Sequence, residues 1–140
     1  MIEMTLELAE RVAEAARAKA MELGISMTVS VVDESGRLVL CKRGDGTGFF
    51  TTDTSRAKAV AAVAFRRTTK ELAELQRSSP EFWRALPGLL PGEVLPTTGA
   101  VPIIIDGRVV GAVGCGGGTA EEDHECALAG VEGMKEGPRK

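Results

Sequence analysis

The sequence predicts an α+β fold in which helices cover both faces of an antiparallel sheet of about five strands. Two observations carry this prediction. Two pairs of β-rich runs are each joined by a short turn, as in β-hairpins. Amphipathic helical segments precede, separate and follow these pairs. Strands joined by hairpins are antiparallel, and the apolar faces of their sheet need helices to cover them.

The first elements are a helix and a hairpin. Thr5 is placed to cap a helix whose apolar residues recur at helical spacing from Leu8 to Leu23, and Gly24 is placed to end it. The β-rich runs 25–32 and 38–41 follow on either side of a turn at residues 33–36.

The middle of the chain predicts a short strand and two helices. Phe49 and Phe50 are interpreted as a third edge strand. Asp53, Thr54 or Ser55 is expected to cap a helix that runs to residue 65. The next helix is expected over residues 70–77, with Thr69 as its cap.

Residues 78–99 predict a long irregular loop, because four prolines interrupt them. Phe82 and Trp83 lie in this segment and are costly to leave exposed together. The loop is therefore expected either to cover a pocket as a lid or to form a subunit contact. A small satellite core beneath the loop is the alternative.

The last third of the chain predicts a second hairpin and a capped helix. Asp106 and Gly107 separate two β-rich runs, a pattern typical of a type I′ turn. Glycines then recur from Gly111 to Gly118, and Thr119 with Glu122 fits a capping box at the start of a helix. Residues 133–140 are expected to fray.

The glycine run before this helix raises the possibility of a phosphate site, since exposed N–H groups at a helix start bind anions. No Gly-Lys-Ser/Thr sequence follows the glycines, so they are not a P-loop. Glu121, Glu122 and Asp123 already complement the helix dipole. The glycines are better explained by close packing, which is compatible with a small-ligand pocket beside the loop.

Composition indicates one cytoplasmic domain over residues 1–140. The formal net charge of −3 and the isoelectric point near 5.3 give no support for a nucleic-acid or anionic-membrane partner. No apolar run has the length of a membrane span, and the first residues lack the basic segment of a signal peptide.

The cysteines and the histidine predict neither a disulfide framework nor a metal site. Cys41, Cys115 and Cys126 are sparse and odd in number, and His124 is the only histidine. Cys41 is expected in the core, whereas Cys115 lies at the glycine loop. A catalytic pair of Cys115 and His124 is an option that two residues alone do not establish.

This order of elements suits a profilin-like fold, and the sequence resembles the GlcG/HbpS family of haem-degrading domains, which includes the C-terminal domain of PduO-type proteins. The resemblance spans nearly the whole chain, in the family's order. Its segments are residues 31–38, 42–46, 57–59, 65–69, 99–102, 106–114 and 117–119, with Asp123.

The resemblance implies a homo-oligomer, and family members are linked to haem or corrinoid binding and to small-molecule turnover. It places candidate ligand-binding residues on this chain, and these are Arg43, Asp45, Lys58, Gly99, Gly114, Cys115, Gly117 and Thr119. The serine of the family's Gly-Val-Ser-Gly element is replaced by Gly116, so any role of that hydroxyl is lost here.

Arg43 and Lys58 are the cations expected to hold a carboxylate or a haem propionate, with Asp45 orienting Arg43 or acting as a base. A structural ion pair that braces loop against helix is the alternative. Three hypotheses follow for the function: a binding protein for haem or a related tetrapyrrole, an enzyme acting on a small carboxylated metabolite, or a structural subunit without chemistry. Haem binding is the leading hypothesis.

Overall fold

The computed structural model describes residues 3–135, which form five helices and four strands. In chain order these are α1 (Leu6–Leu23), β1 (Thr28–Asp33), β2 (Leu38–Lys42), α2 (Thr51–Phe65), α3 (Thr69–Ser78), α4 (Pro80–Leu89), β3 (Ala100–Ile105), β4 (Arg108–Gly116) and α5 (Ala120–Met134). The strands form one sheet in the order β2-β1-β4-β3, antiparallel throughout. The predicted α+β class is confirmed, with four strands where about five were expected.

Helices cover both faces of the sheet, as predicted. α1 and α5 pack together on one face, where Val29, Val31 and Val113 lie in the larger apolar core. α2 covers the other face, where Val32 and Ala112 meet a smaller core. Most core side chains are alanine or valine, and aromatic residues are scarce. Because these side chains are small, the helices approach the sheet closely.

The predicted turn and caps are confirmed at four places. Asp106 and Gly107 have φ angles of 52° and 77°, the positive values that a type I′ turn requires. The Thr5 side chain accepts from the Leu8 N–H, and Gly24 ends α1 at a φ of 74°. Thr119 forms a complete capping box with Glu122.

Two other helix starts were predicted at the wrong residue. α2 begins at Thr51, ahead of the three predicted caps, and Ser55 is instead buried with its hydroxyl 2.7 Å from that of Ser30. α3 is capped by Thr68, while Thr69 is buried and bonds the backbone of Ala100. In both cases the hydroxyl predicted to cap a helix, that of Ser55 or Thr69, instead forms a buried hydrogen bond with another element of the fold.

The predicted strand at Phe49 and Phe50 is wrong, because these residues form the turn that opens α2. Thr51 already donates its N–H to the Gly48 carbonyl, which commits the backbone to a helical turn. The two rings meet edge to face at 5.8 Å and are 81% and 54% exposed.

The segment predicted as an irregular loop contains α4. Pro80 occupies the first turn of this helix, where a missing N–H costs nothing, and Pro87 lies in its last turn. Trp83 packs against Phe65 of α2 at a centroid distance of 4.9 Å and so anchors the helix. Within this segment, Ser79 and residues 90–99 lie outside the helices.

At the end of the chain, Gly133 and Met134 belong to α5, and residues 136–140 lie outside the described residues. The fraying expected over residues 133–140 stays a prediction. Within residues 3–135, no helix combines the length and apolar character that crossing a membrane requires.

Candidate functional site

Lys58 carries a buried charge at the sheet end where β4 stops and β3 begins. The residue is 8% exposed and lies in an alanine-rich stretch of α2. Its ammonium donates to the Cys115 carbonyl oxygen and to Asp123 Oδ2, both at 3.0 Å. One lysine thereby links α2, β4 and α5.

Asp123 is bonded through both carboxylate oxygens. Oδ2 accepts from Lys58, and Oδ1 accepts from the Gly118 N–H at 3.0 Å. Burial raises the pKa of the Asp123 carboxyl above its ordinary value, and the Lys58 ammonium offsets that rise only in part. The Gly118 N–H in the glycine run therefore binds the carboxylate of Asp123 and is not free for a phosphate. This fits the packing interpretation of the glycines better than a phosphate site.

Gly99 leaves open the space beside the Lys58 ammonium. Its φ of 141° is one that residues with a side chain rarely adopt. A Cβ at this position would lie 2.9 Å from Lys58 Nζ and 3.1 Å from the Cys115 carbonyl oxygen. Glycine is required here both by conformation and by the close approach of a charged group.

The remaining predicted glycines act through packing. A Cβ on Gly114 would overlap the Ser55 carbonyl of α2, so this glycine sets the spacing between α2 and β4. Gly117 has a φ of 126° and lies against Ser26 and Thr47 of neighbouring loops.

An open cleft of about 440 Å³ lies next to the Lys58–Asp123 ion pair. Its walls come from α2, α3, α5 and the segment before β3. The lining residues are Lys58, Ala73, Gln76, Pro96, Thr97, Thr98, Ala120 and Asp123. The volume falls in the range of small-molecule sites, about 300–1,000 Å³.

Not all of the predicted site residues meet in this cleft. Lys58 lines the cleft, and Gly99 and the Cys115 carbonyl lie against its ammonium. Thr119 lies on the turn that enters α5. Arg43 lies on the β2–α2 loop and donates to the Thr47 carbonyl at 3.4 Å.

Asp45 lies on the same loop, where its carbonyl accepts from the Ser26 hydroxyl at 2.6 Å. It borders a separate, smaller cleft of about 120 Å³. Among the ion pairs of residues 3–135, none joins Arg43 to Asp45. A ligand-binding role for these two residues stays a prediction.

The aromatic residues predicted as a lid lie on α4. Trp83 is half-buried against Phe65, and Phe82 is 51% exposed beside a separate cleft. Neither residue lines the Lys58 cleft.

The cysteines are placed differently from expectation. The Cys115 side chain lies in the core beneath α1 and α5 and is completely buried, while Cys41 is half-buried on the edge strand β2. Burial raises the pKa of the Cys115 thiol well above its ordinary value, so the thiol stays protonated. A nucleophilic pair of Cys115 and His124 is incompatible with this burial; it is the Cys115 carbonyl that takes part in the site.

Sequence reasoning missed the partner of Lys58. Asp123 belongs to the family's Thr-x-x-x-Asp element but is not among the predicted site residues, and neither are Gln76, Thr97 and Thr98. The available signal was the position of Asp123 in the first turn of α5, four residues after the cap at Thr119.

Comparison with protein families gives a match over nearly the whole chain. The sequence model of a family described as "Haem degrading protein HbpS-like" matches residues 4–132. An uncharacterised 15.0 kDa protein encoded between dhaT and dhaS in Citrobacter freundii is 32% identical over 133 residues, which cover 95% of this chain and 93% of that protein.

Two solved structures share the fold. Protein ORFY of Klebsiella pneumoniae superposes with a TM-score of 0.88 at 28% identity, covering 96% of this chain and 93% of the other. A double mutant of HbpS from Streptomyces reticuli gives a TM-score of 0.84 at 32% identity, covering 94% and 87% of the two chains.

Proposed function

This chain belongs to the HbpS-like family of haem-degrading proteins, and from that premise we propose that it binds haem or a related tetrapyrrole in the cleft beside Lys58. Membership of the family supports a tetrapyrrole as the class of ligand. The cleft beside Lys58 supports the location of the binding site. A complex of PduOC with heme has the same fold, with a TM-score of 0.85 at 24% identity over 94% of this chain and 95% of the other.

The observation that carries the proposal is the third N–H group of the buried Lys58 ammonium. An ammonium has three N–H donors, and two of them reach Cys115 and Asp123. Lys58 lines the cleft, and the missing side chain of Gly99 leaves room beside its nitrogen. A carboxylate entering the cleft could accept the remaining donor as a charge-assisted hydrogen bond.

The remaining lining suits an amphipathic ligand that carries carboxylates. Ala73, Pro96 and Ala120 offer apolar contact for a flat ring system, while Thr97 and Thr98 offer hydroxyls. Haem combines such a ring with two propionate groups. The buried donor and the mixed lining of the cleft therefore suit the propionates and the ring of the group that the family implies.

The chain's own residues do the binding and positioning. Asp123 fixes the Lys58 ammonium, and Gly118 fixes Asp123, so the cation is held in place before a ligand arrives. When bound, haem supplies a redox-active iron and a conjugated ring. The proposal commits the protein to binding; turnover is a separate question.

The test is a hemin titration followed by absorbance, with a variant that blocks the cleft without disturbing the ion pair. Ala120 is exposed on the first turn of α5 and lines the cleft, so Ala120→Trp should fold and fill it. We expect saturable binding to the wild type and an affinity at least about tenfold weaker in the variant, equal to roughly 1.4 kcal/mol.

The control for that titration is Lys42→Met, on the edge strand β2, where Lys42 pairs with Glu10 and Glu14 of α1. Its affinity should match that of the wild type. A linear response without saturation would contradict haem binding. Saturation that Ala120→Trp leaves unchanged would place the site elsewhere on the protein.

A small carboxylated metabolite uses the same Lys58 donor, so it is the second candidate ligand class. Thermal shifts with small carboxylates distinguish the two classes, since a ligand that binds only the folded state raises its stability.

Self-association and a cytoplasmic location also stay predictions. The exposed Phe82 and Leu89 of α4, 51% and 76% exposed, are compatible with a subunit contact.

A further inference from the structure

The polar groups that line the Lys58 cleft are suited to carboxylate oxygens. The Lys58 ammonium keeps one N–H after it donates to Cys115 and Asp123. Gln76, half-buried on α3, donates one of its two amide N–H groups to the Pro96 carbonyl at 2.6 Å and keeps the other for a ligand. A carboxylate in the cleft can therefore accept hydrogen bonds from two elements, α2 and α3.

The same lining is poorly suited to holding a haem iron. Proteins bind haem iron through the side chains of histidine, cysteine, methionine or tyrosine. The residues that line the cleft, all of them within residues 3–135, belong to none of these four types. The polar side chains that remain are the hydroxyls of Thr97 and Thr98, the Gln76 amide and the Lys58–Asp123 pair.

The charged pair in the lining is committed to the fold. The Lys58 nitrogen donates to Asp123 and to the Cys115 carbonyl, and an ammonium has no lone pair to give to a metal. Asp123 accepts from Lys58 at one oxygen and from the Gly118 N–H at the other. The cleft therefore presents donors for the periphery of a ligand and no side chain of the kind that holds haem iron at its centre.

We propose that this cleft recognises a tetrapyrrole by its carboxylates and its ring, and that the metal contributes little to binding. The inference rests on the proposed function and narrows it, since the ligand class becomes a carboxylated tetrapyrrole with or without iron. A metal-free porphyrin that keeps its propionates is then as good a ligand as haem. Haem with esterified propionates is a poor one.

The test compares three ligands on the unmodified protein, which are hemin, metal-free protoporphyrin IX and hemin dimethyl ester. The second ligand lacks the iron, and the third lacks the free carboxylates. We expect the first two to bind with dissociation constants within about threefold of each other, and the ester to bind at least about tenfold more weakly, because it loses the charged acceptors. The absorption spectrum of bound hemin should show neither imidazole nor thiolate ligation.

A variant of Gln76 tests whether this residue recognises the carboxylates. Gln76→Leu should weaken hemin and metal-free protoporphyrin IX by the same factor, at least about threefold, and leave the ester unchanged. If Gln76 acted only by holding Pro96, the ester would weaken equally. Glu74→Gln, at an exposed position of α3 outside the cleft lining, is the control and should bind all three ligands like the wild type.

The outcomes separate this inference from the proposed function. Hemin that binds at least about tenfold more tightly than metal-free protoporphyrin IX would overturn the inference and leave the proposed function intact. An ester that binds as tightly as hemin would do the same. Absence of saturable binding by both free-acid porphyrins would remove the proposed function and the inference together. Circular dichroism of the unliganded variants checks that each is folded.

Discussion

Replacing Lys58 by methionine is expected to lower the free energy of unfolding by about 3–5 kcal/mol at neutral pH, because it leaves the Asp123 carboxylate buried without its counter-ion. The two side chains are only 10% and 6% exposed, and their charged atoms are 3.0 Å apart. The Cys115 carbonyl loses a donor in the same variant. Urea unfolding at neutral pH measures the loss.

The pH dependence of that loss identifies its cause. Burial already raises the pKa of Asp123, and removing the ammonium raises it further. A carboxyl whose pKa is higher in the folded than in the unfolded state costs most stability above its folded pKa. The deficit of Lys58→Met should therefore shrink as the pH falls through that value.

Two further variants separate the buried pair from a general effect of removing a lysine. Lys42 is 30% exposed in its ion pairs, so Lys42→Met should cost no more than about 1 kcal/mol. Adding Asp123→Leu to Lys58→Met removes the orphaned charge and should recover part of the stability without restoring hemin binding. A deficit that stays constant from neutral pH to about pH 4 in Lys58→Met would contradict the buried-charge explanation.

Replacing Gly114 by alanine is expected to cost about 1–3 kcal/mol and to weaken hemin binding as well. A Cβ there would overlap the Ser55 carbonyl and lie 3.0 Å from the Ala59 nitrogen, both of them backbone atoms of α2. The helix must shift to admit the methyl group. Because α2 also carries Lys58, the shift should move the ammonium away from Cys115 and Asp123.

The matched control is Gly88→Ala on α4, where an added Cβ has no atom within 4 Å. Alanine favours helix over glycine by about 1 kcal/mol, so this variant should be neutral or slightly more stable. Urea unfolding and hemin titration of both variants provide the comparison. Equal stability of Gly114→Ala and the wild type would show that α2 does not depend on this glycine.

Local signals in the sequence predicted much of the fold. The turn at Asp106 and Gly107 and the caps at Thr5 and Thr119 each depend on a few neighbouring residues, so the chain itself specifies them. α4 was missed because prolines count against a helix. Pro80 occupies the first turn, where a missing N–H costs nothing, whereas Pro87 lies inside the helix and removes one of its backbone hydrogen bonds.

The candidate site was less accessible to prediction because it is assembled from distant parts of the chain. Lys58 and Asp123 are 65 residues apart, and no local pattern records that α2 and α5 bring them together. The family resemblance pointed to Lys58 and Gly99 separately. The reason for Gly99 is visible only in three dimensions, where a Cβ on this residue would lie 2.9 Å from Lys58 Nζ. The resemblance and their charge grouped Arg43 with Lys58, whereas the structure places Arg43 on the β2–α2 loop and Lys58 on α2.

The most direct test of a tetrapyrrole site in the Lys58 cleft is an amide NMR titration with gallium protoporphyrin, a diamagnetic substitute for haem. We expect saturable shifts concentrated on the cleft residues that carry amide protons, including Ala73, Gln76, Thr98, Ala120 and Asp123. Saturable shifts concentrated instead on Phe49 and Phe50, or along α4, would contradict the assignment of the site. Shifts that grow linearly without saturation would contradict specific binding altogether.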